Sequence, residues 1–181
     1  AIVCRFLLKL FSRRYDVLVK YRKTEGVVYV CRHLNMKGPL TTLKWFPFDL
    51  HPLVLSVFFD SKKGANHLKE YTFSIKWGKK IKKRSLKASL SGLFISKLVK
   101  SVKAVPVYRG NQNPLPTYKK AIEYLLNNQS VIVYPDIEYD KDYSEVSDIY
   151  DGFLYLSRFY KDKTGNDLKF VPLYIDFKNK V

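Results

Sequence analysis

The sequence predicts an α/β fold: a mixed, mostly parallel sheet flanked by helices, in a single domain spanning residues 1–181. Two observations carry this. Short β-branched runs such as GVVYVCRH (26–33) and SVIVYPD (130–136) alternate with segments of helical period along the whole chain. The length of 181 residues and 46% hydrophobic content suit one substantial core and exclude wholesale disorder.

Taken in order, residues 2–14 (IVCRFLLKLFSRR) read as an amphipathic helix. Val3, Phe6, Leu7 and Leu10 recur at helical spacing, and Arg5, Lys9 and Arg13 fall on another face. Two readings stay open for it, packing on the core or lying in a membrane interface. GVVYVCRH is a strand ending at His33, and GPLTTLKWF starts a helix with Pro39 in its first turn. PLVLSVFFD (52–60) is a second buried strand. A basic helical region follows at 65–84, then the amphipathic helix SLSGLFISKLVKSV. AVPVYRG (104–110) is a strand running into a loop, and PTYKKAIEYLLNN is a helix with an inner stripe of Tyr118, Ala121, Ile122 and Leu125. SVIVYPD is a strand stopped by Pro135. After an acidic loop come a helix near GFLYLSRFYKD and a closing strand, LKFVPLYID (168–176). No internal repeat or low-complexity segment occurs, and no apolar run is long enough to cross a bilayer. No signal-peptide cleavage pattern follows the first apolar stretch.

The net charge of +17 points to an anionic partner: nucleic acid, anionic lipid, coenzyme A phosphates or an acidic carrier protein. The charge is uneven. Residues 62–103 hold thirteen Lys or Arg against Glu70 alone, whereas 136–151 hold seven Asp or Glu against Lys141 alone. Cys4 and Cys31 make no CxxC pair, which suits a reducing compartment.

In parallel sheets ligands bind beyond the carboxyl ends of the strands. His33, Tyr108, Arg109, Tyr134 and Asp136 all fall there. The phosphate loop GxxxxGK[ST], GxGxxG and GxSxG are absent, and Cys31 with His33 is too few for a zinc site, so no metal is expected. His51 and His67 read as structural.

Four ordered blocks, RHLNMKGP, VPVYRG, VYPDIEY and FVPLYI, resemble the motifs of the glycerolipid acyltransferase family, enzymes that acylate lysophosphatidic acid and related glycerol phosphates. The family's motifs are Asn-His-x4-Asp-Pro, an Arg-Gly after an apolar strand, Phe-Pro-Glu-Gly, and an apolar strand containing Val-Pro; the matched blocks span residues 32–174. The chain departs at Arg32 for Asn, Gly38 for the Asp before Pro39, Asp136 for Glu, and Ile137 for Gly. The resemblance implies a glycerolipid-acyltransferase-like fold and acyl transfer from a thioester to a glycerol hydroxyl. His33 would be the general base, a task suited to imidazole near neutral pH. Its bland alternative is a core imidazole at a strand end. Arg109 would bind the acceptor's phosphate through its planar fork, with Gly110 allowing a close backbone turn; the alternative is a surface ion pair. Asp136, with Glu138 two residues on, would help bind the acceptor, and Tyr108 and Tyr134 would wall the site beside Pro135, with Pro172 in the fourth block. With no Asp at 38, the groups able to hold the His33 ring are Asp49, Asp136, Glu138 or a backbone carbonyl. A main-chain approach is eased by the glycine itself.

The implied co-substrate is acyl-CoA or an acyl-carrier protein, with no bound cofactor. The implied partners are an anionic membrane surface and a glycerophosphate-type acceptor, at a peripheral position on the cytoplasmic, inner face of the membrane. Two rivals stand beside this reading. One is a non-catalytic lipid-binding relative, favoured by Gly38. The other is a basic nucleic-acid binder, disfavoured because the aromatics fall in strands and helix stripes rather than in a recognition motif.

Overall fold

The run GVVYVC extends because β-branched and aromatic side chains pack well on both faces of a buried strand. In the computed structural model, which describes residues 14–18, 25–34, 36–70, 81–110, 112–137 and 148–179 (backbone alone for 81–85), it forms β1, Val28–Cys31. The helix α1 (Lys37–Trp45) follows, then β2 (Leu50–Leu55), α2 (Ser61–His67) and α3 (Ile81–Ser101). Next come β3 (Val105–Val107), α4 (Leu115–Leu126), β4 (Ser130–Val133), α5 (Tyr155–Thr164) and β5 (Phe170–Leu173). The five strands form one all-parallel sheet in the order β3-β2-β4-β1-β5. β1 lies parallel to β4 on one side and β5 on the other, with Tyr29 opposite Ile132 and Val171. The sheet is thus α/β as the sequence predicts, but parallel rather than mixed. The antiparallel element among the described residues is one bridge between Asp136 and Ile149.

Two compact units make up the chain: Ala1–Leu53 with Tyr118–Val181, and Val54–Thr117. In the first unit, strand alternation sends Val27, Tyr29, Cys31 and Ile132 into one cluster with Phe46 from the end of α1. The rings of Tyr29 and Phe46 meet edge to face at 4.9 Å. Val28 and Val131, also fully buried, face the other way. The expected inner stripe of α4 holds: Ala121, Ile122 and Leu125 are buried, and Tyr118 stacks on Phe159 of α5 at 5.0 Å. Pro172 and Pro106 sit in the outermost strands β5 and β3, where a missing N–H breaks no central ladder.

In the second unit Asp60 caps α2, accepting from the amides of Lys62 at 2.9 Å and Lys63 at 2.8 Å. Leu68 and Ala88 form its small core with Phe58 and Ile95. The strand expected over 52–60 stops at Leu55, and Ser56–Phe59 coil into a 3₁₀ turn. The turn fits the local chemistry: the Phe59 carbonyl accepts from Ser96 of α3 at 3.0 Å, so that backbone is satisfied by a helix and not by a ladder. The helix expected over 65–84 begins earlier, at Ser61, and residues 71–80 lie outside the described residues. The amphipathic helix expected at 2–14 falls outside them too, apart from Arg14, which is irregular. No described helix is long and apolar enough to cross a membrane.

Candidate functional site

The sheet's connectivity selects one crevice. The chain leaving β1 crosses β4 to reach β2, and the chain leaving β4 crosses β1 to reach β5. Both are parallel crossovers in opposite directions, and right-handed connections place α1 and α5 on opposite faces. The space beyond the carboxyl ends of β1 and β4 is therefore the switch point at which such sheets bind ligands. His33 lies two residues past the end of β1, and Asp136 three past the end of β4.

The structure joins these two residues, though not as a ring–carboxylate pair. The backbone amide of His33 donates to both Asp136 carboxylate oxygens, at 2.8 and 2.9 Å. Asp136 is buried, and its charge helps, after burial itself, to push the Cys31 thiol up to about 12. Ile149 bridges Asp136 from the returning chain, and Tyr150 donates to the Pro135 carbonyl at 2.8 Å. A buried carboxylate on a strand-end amide fixes where His33 emerges from the sheet.

The imidazole is oriented by the main chain. The Met36 amide donates to His33 Nδ1 at 3.3 Å. An N–H can only donate, so Nδ1 accepts, and in the neutral ring the proton sits on Nε2. For Nε2 to act as a base the proton must move to Nδ1 and the Met36 bond must be given up. Giving up that one bond costs about 1 kcal/mol, or about fivefold in population. The loop that delivers this amide is strained: Leu34 and Met36 both take left-handed backbone, at φ 47 and 72. The sequence reading did not foresee an amide donor at this nitrogen.

Gly38 explains why the loop closes. Its amide donates to the His33 carbonyl at 3.1 Å, and a Cβ there would lie 2.0 Å from the Arg32 carbonyl oxygen. Any side chain at 38, a carboxylate included, would collide with backbone. The sequence reading did not single out Thr42, yet its buried hydroxyl ties the site together. It meets the Tyr134 hydroxyl at 2.6 Å and the carbonyls of Gly38 and Pro39 at 3.0 and 3.1 Å. The only sequence signal for it is a threonine four residues after the motif glycine, within reach of a helical i−4 carbonyl. The ring of Tyr134 stands edge-on to His33 at 5.8 Å, and burial raises its phenol.

Arg32 and Cys31 line a cleft of about 240 Å³ on the β5 side of β1, with Ile175, Phe177 and Lys178. In the second unit Thr117 pins the end of β3, donating to the Pro106 carbonyl at 2.8 Å and accepting from the Tyr108 amide at 3.3 Å. Tyr108 is half-buried there, and Arg109 and Gly110 are exposed beyond it, Gly110 at φ 68. Glu138 falls outside the described residues. His51 is buried and stacked on Tyr124 at 3.8 Å, and His67 meets Phe58 edge-on at 5.3 Å. Among the described residues no group of three His, Cys, Asp or Glu could hold a metal. Comparison with family models, with curated proteins and with solved structures gives no match.

Proposed function

We propose that the chain is an O-acyltransferase that moves a fatty acyl group from a coenzyme A or carrier-protein thioester to a glycerophosphate-type hydroxyl at an anionic membrane surface. The observation that carries the reading is the clasp of His33 and Asp136 at the switch point, in the two blocks that resemble the family's first and third motifs. The acceptor oxygen attacks the thioester carbonyl as His33 takes its proton. The tetrahedral intermediate then expels the thiolate, and the imidazolium returns the proton to sulfur. Asp136 acts through position, holding the His33 backbone, and Thr42 with Tyr134 holds α1 over the site. The resemblance gives Arg109 the acceptor's phosphate.

One observation favours a second reading, a lipid-binding relative without turnover: the Met36 amide occupies Nδ1, where the family's aspartate would accept from it. Purified wild type and His33→Ala, assayed with acyl-CoA and carrier-protein donors of several lengths, separate the two. Transfer by wild type at least a hundredfold above His33→Ala supports the enzyme. Equal rates give the site to lipid binding.

A further inference from the structure

α3 turns four large apolar side chains to solvent, while small residues alternate with Ile95 and Val99 on the face toward its own unit. Leu86, Leu90, Leu93 and Phe94 are 68, 61, 49 and 52% exposed. They recur at i, i+4, i+7 and i+8, which places them on one face of the helix. The opposite face is buried, with Ala88, Gly92, Ser96 and Val99. Ala88 joins the α2 side of the core, and Ser96 bonds the Phe59 carbonyl. The inward contact is therefore closed by Ala88, Gly92 and Ser96 with Ile95 and Val99, and the four outer side chains stay exposed.

Charge identifies the occupant of the outer face. Lys97 lies seven residues after Leu90, on the same face, and exposed Lys87 and Lys100 flank it. α3 contains no Asp or Glu. Lysines interleaved with leucines suit a protein interface poorly, because the core of such a patch excludes lysine. At an anionic bilayer the same pattern is favourable: the leucines enter the headgroup layer while the lysine stems run beside them and the ammonium groups meet phosphates.

We infer that the outer face of α3 docks on an anionic bilayer, with Leu86, Leu90, Leu93 and Phe94 inserted and Lys87, Lys97 and Lys100 on lipid phosphates. This deepens the membrane part of the proposed function and is independent of the His33 chemistry. The test is sedimentation of the full chain with phosphatidylglycerol–phosphatidylcholine vesicles and with phosphatidylcholine vesicles alone. Three proteins are compared: wild type, L90Q/L93Q/F94Q and K87Q/K97Q/K100Q, all with circular dichroism to check folding. Wild type should bind the anionic vesicles. The apolar variant should bind at least tenfold more weakly, and the lysine variant should lose the preference for anionic lipid. All the substituted side chains are exposed, so both variants should fold, and each alone tests the face. Binding by both variants within twofold of wild type would overturn the inference, as would a wild type that ignores vesicles. So would a wild-type dimer made monomeric by L90Q/L93Q/F94Q, which would assign the face to a second copy. Transfer between water-soluble short-chain substrates, measured on the same variants, keeps the outcomes apart. Lost vesicle binding with retained transfer supports α3 docking, whereas absent transfer with intact vesicle binding counts only against the enzyme reading.

Discussion

Replacing Gly38 by alanine tests the geometry on which the candidate site depends. The new Cβ would stand 2.0 Å from the Arg32 carbonyl oxygen and 3.1 Å from that of His33. Heavy atoms in comfortable contact sit at roughly 3.5 Å, so α1 must retreat by more than 1 Å from the end of β1. Overpacking of that kind costs about 1–3 kcal/mol. The retreat also breaks the Gly38 amide's bond to the His33 carbonyl and strains the Met36 amide's bond to Nδ1, each worth about 1 kcal/mol. The sum is about 3–5 kcal/mol, or about 6–20 °C in Tm for a chain of this size. Gly110→Ala supplies the control: φ is 68 there but nothing lies within 4 Å, so only backbone strain of about 1–2 kcal/mol applies. Thermal and urea unfolding followed by circular dichroism gives both values. A Gly38→Ala protein melting within about 2 °C of wild type, or no less stable than Gly110→Ala, would refute the close approach. Gly38→Asp should lose at least as much stability as Gly38→Ala and gain no acyl transfer.

Thr42→Val keeps the shape but removes the hydroxyl from Tyr134, and should cost about 1–3 kcal/mol in urea unfolding as that phenol loses its partner. Asp136→Ala should destabilise by about 1.5–3 kcal/mol and lower acyl transfer, whereas Asp136→Asn, which still accepts from the His33 amide, should recover most of both. Cys31 should resist iodoacetamide at pH 8.5 in the native state of a Cys4→Ser protein and react once unfolded, because burial, with a smaller contribution from Asp136, pushes the native thiol up to about 12. The sign follows from linkage: with the native value raised above the ordinary 9.0, this thiol's contribution is complete below pH 9 and is lost as pH rises toward 12. Arg109→Ala should raise the acceptor KM with little change for the donor, by about 1.5–3 kcal/mol in apparent binding.

The strands were legible because their apolar runs are short and separated by clear turn residues. β4 is the plainest case, with every residue of Ser130–Val133 buried. β2 was overrun because SVFFD looks as apolar as PLVL. What ends the strand is tertiary: Ser96, distant in sequence, takes the Phe59 carbonyl, and Asp60 caps the next helix. His33, Tyr134 and Asp136 could be placed at strand ends because strand termination alone locates them. Their bonding could not be placed. Nothing in the string RHLNMKG tells a reader that Leu34 and Met36 are left-handed, since neither residue favours that conformation, and it is this pair of turns that brings an amide to the imidazole.

That amide also determines what the missing carboxylate means. A carboxylate accepting from Nδ1 would leave Nε2 with a lone pair for the substrate; an amide donating to Nδ1 reverses the ring. The two arrangements are mutually exclusive, because the space at 38 that a carboxylate side chain would need is filled by the Arg32 carbonyl. Loss of an orienting aspartate in serine hydrolases lowers turnover by about four orders of magnitude, because the tautomer is then wrong throughout. Here the bond from the Met36 amide to Nδ1 is exposed and 3.3 Å long, and releasing it costs about fivefold. The buried clasp lies on the main chain: both Asp136 oxygens accept from the His33 amide. Gripped at its backbone by a buried carboxylate, His33 keeps its place at the strand end, which is the positional part of what the proposed base catalysis requires.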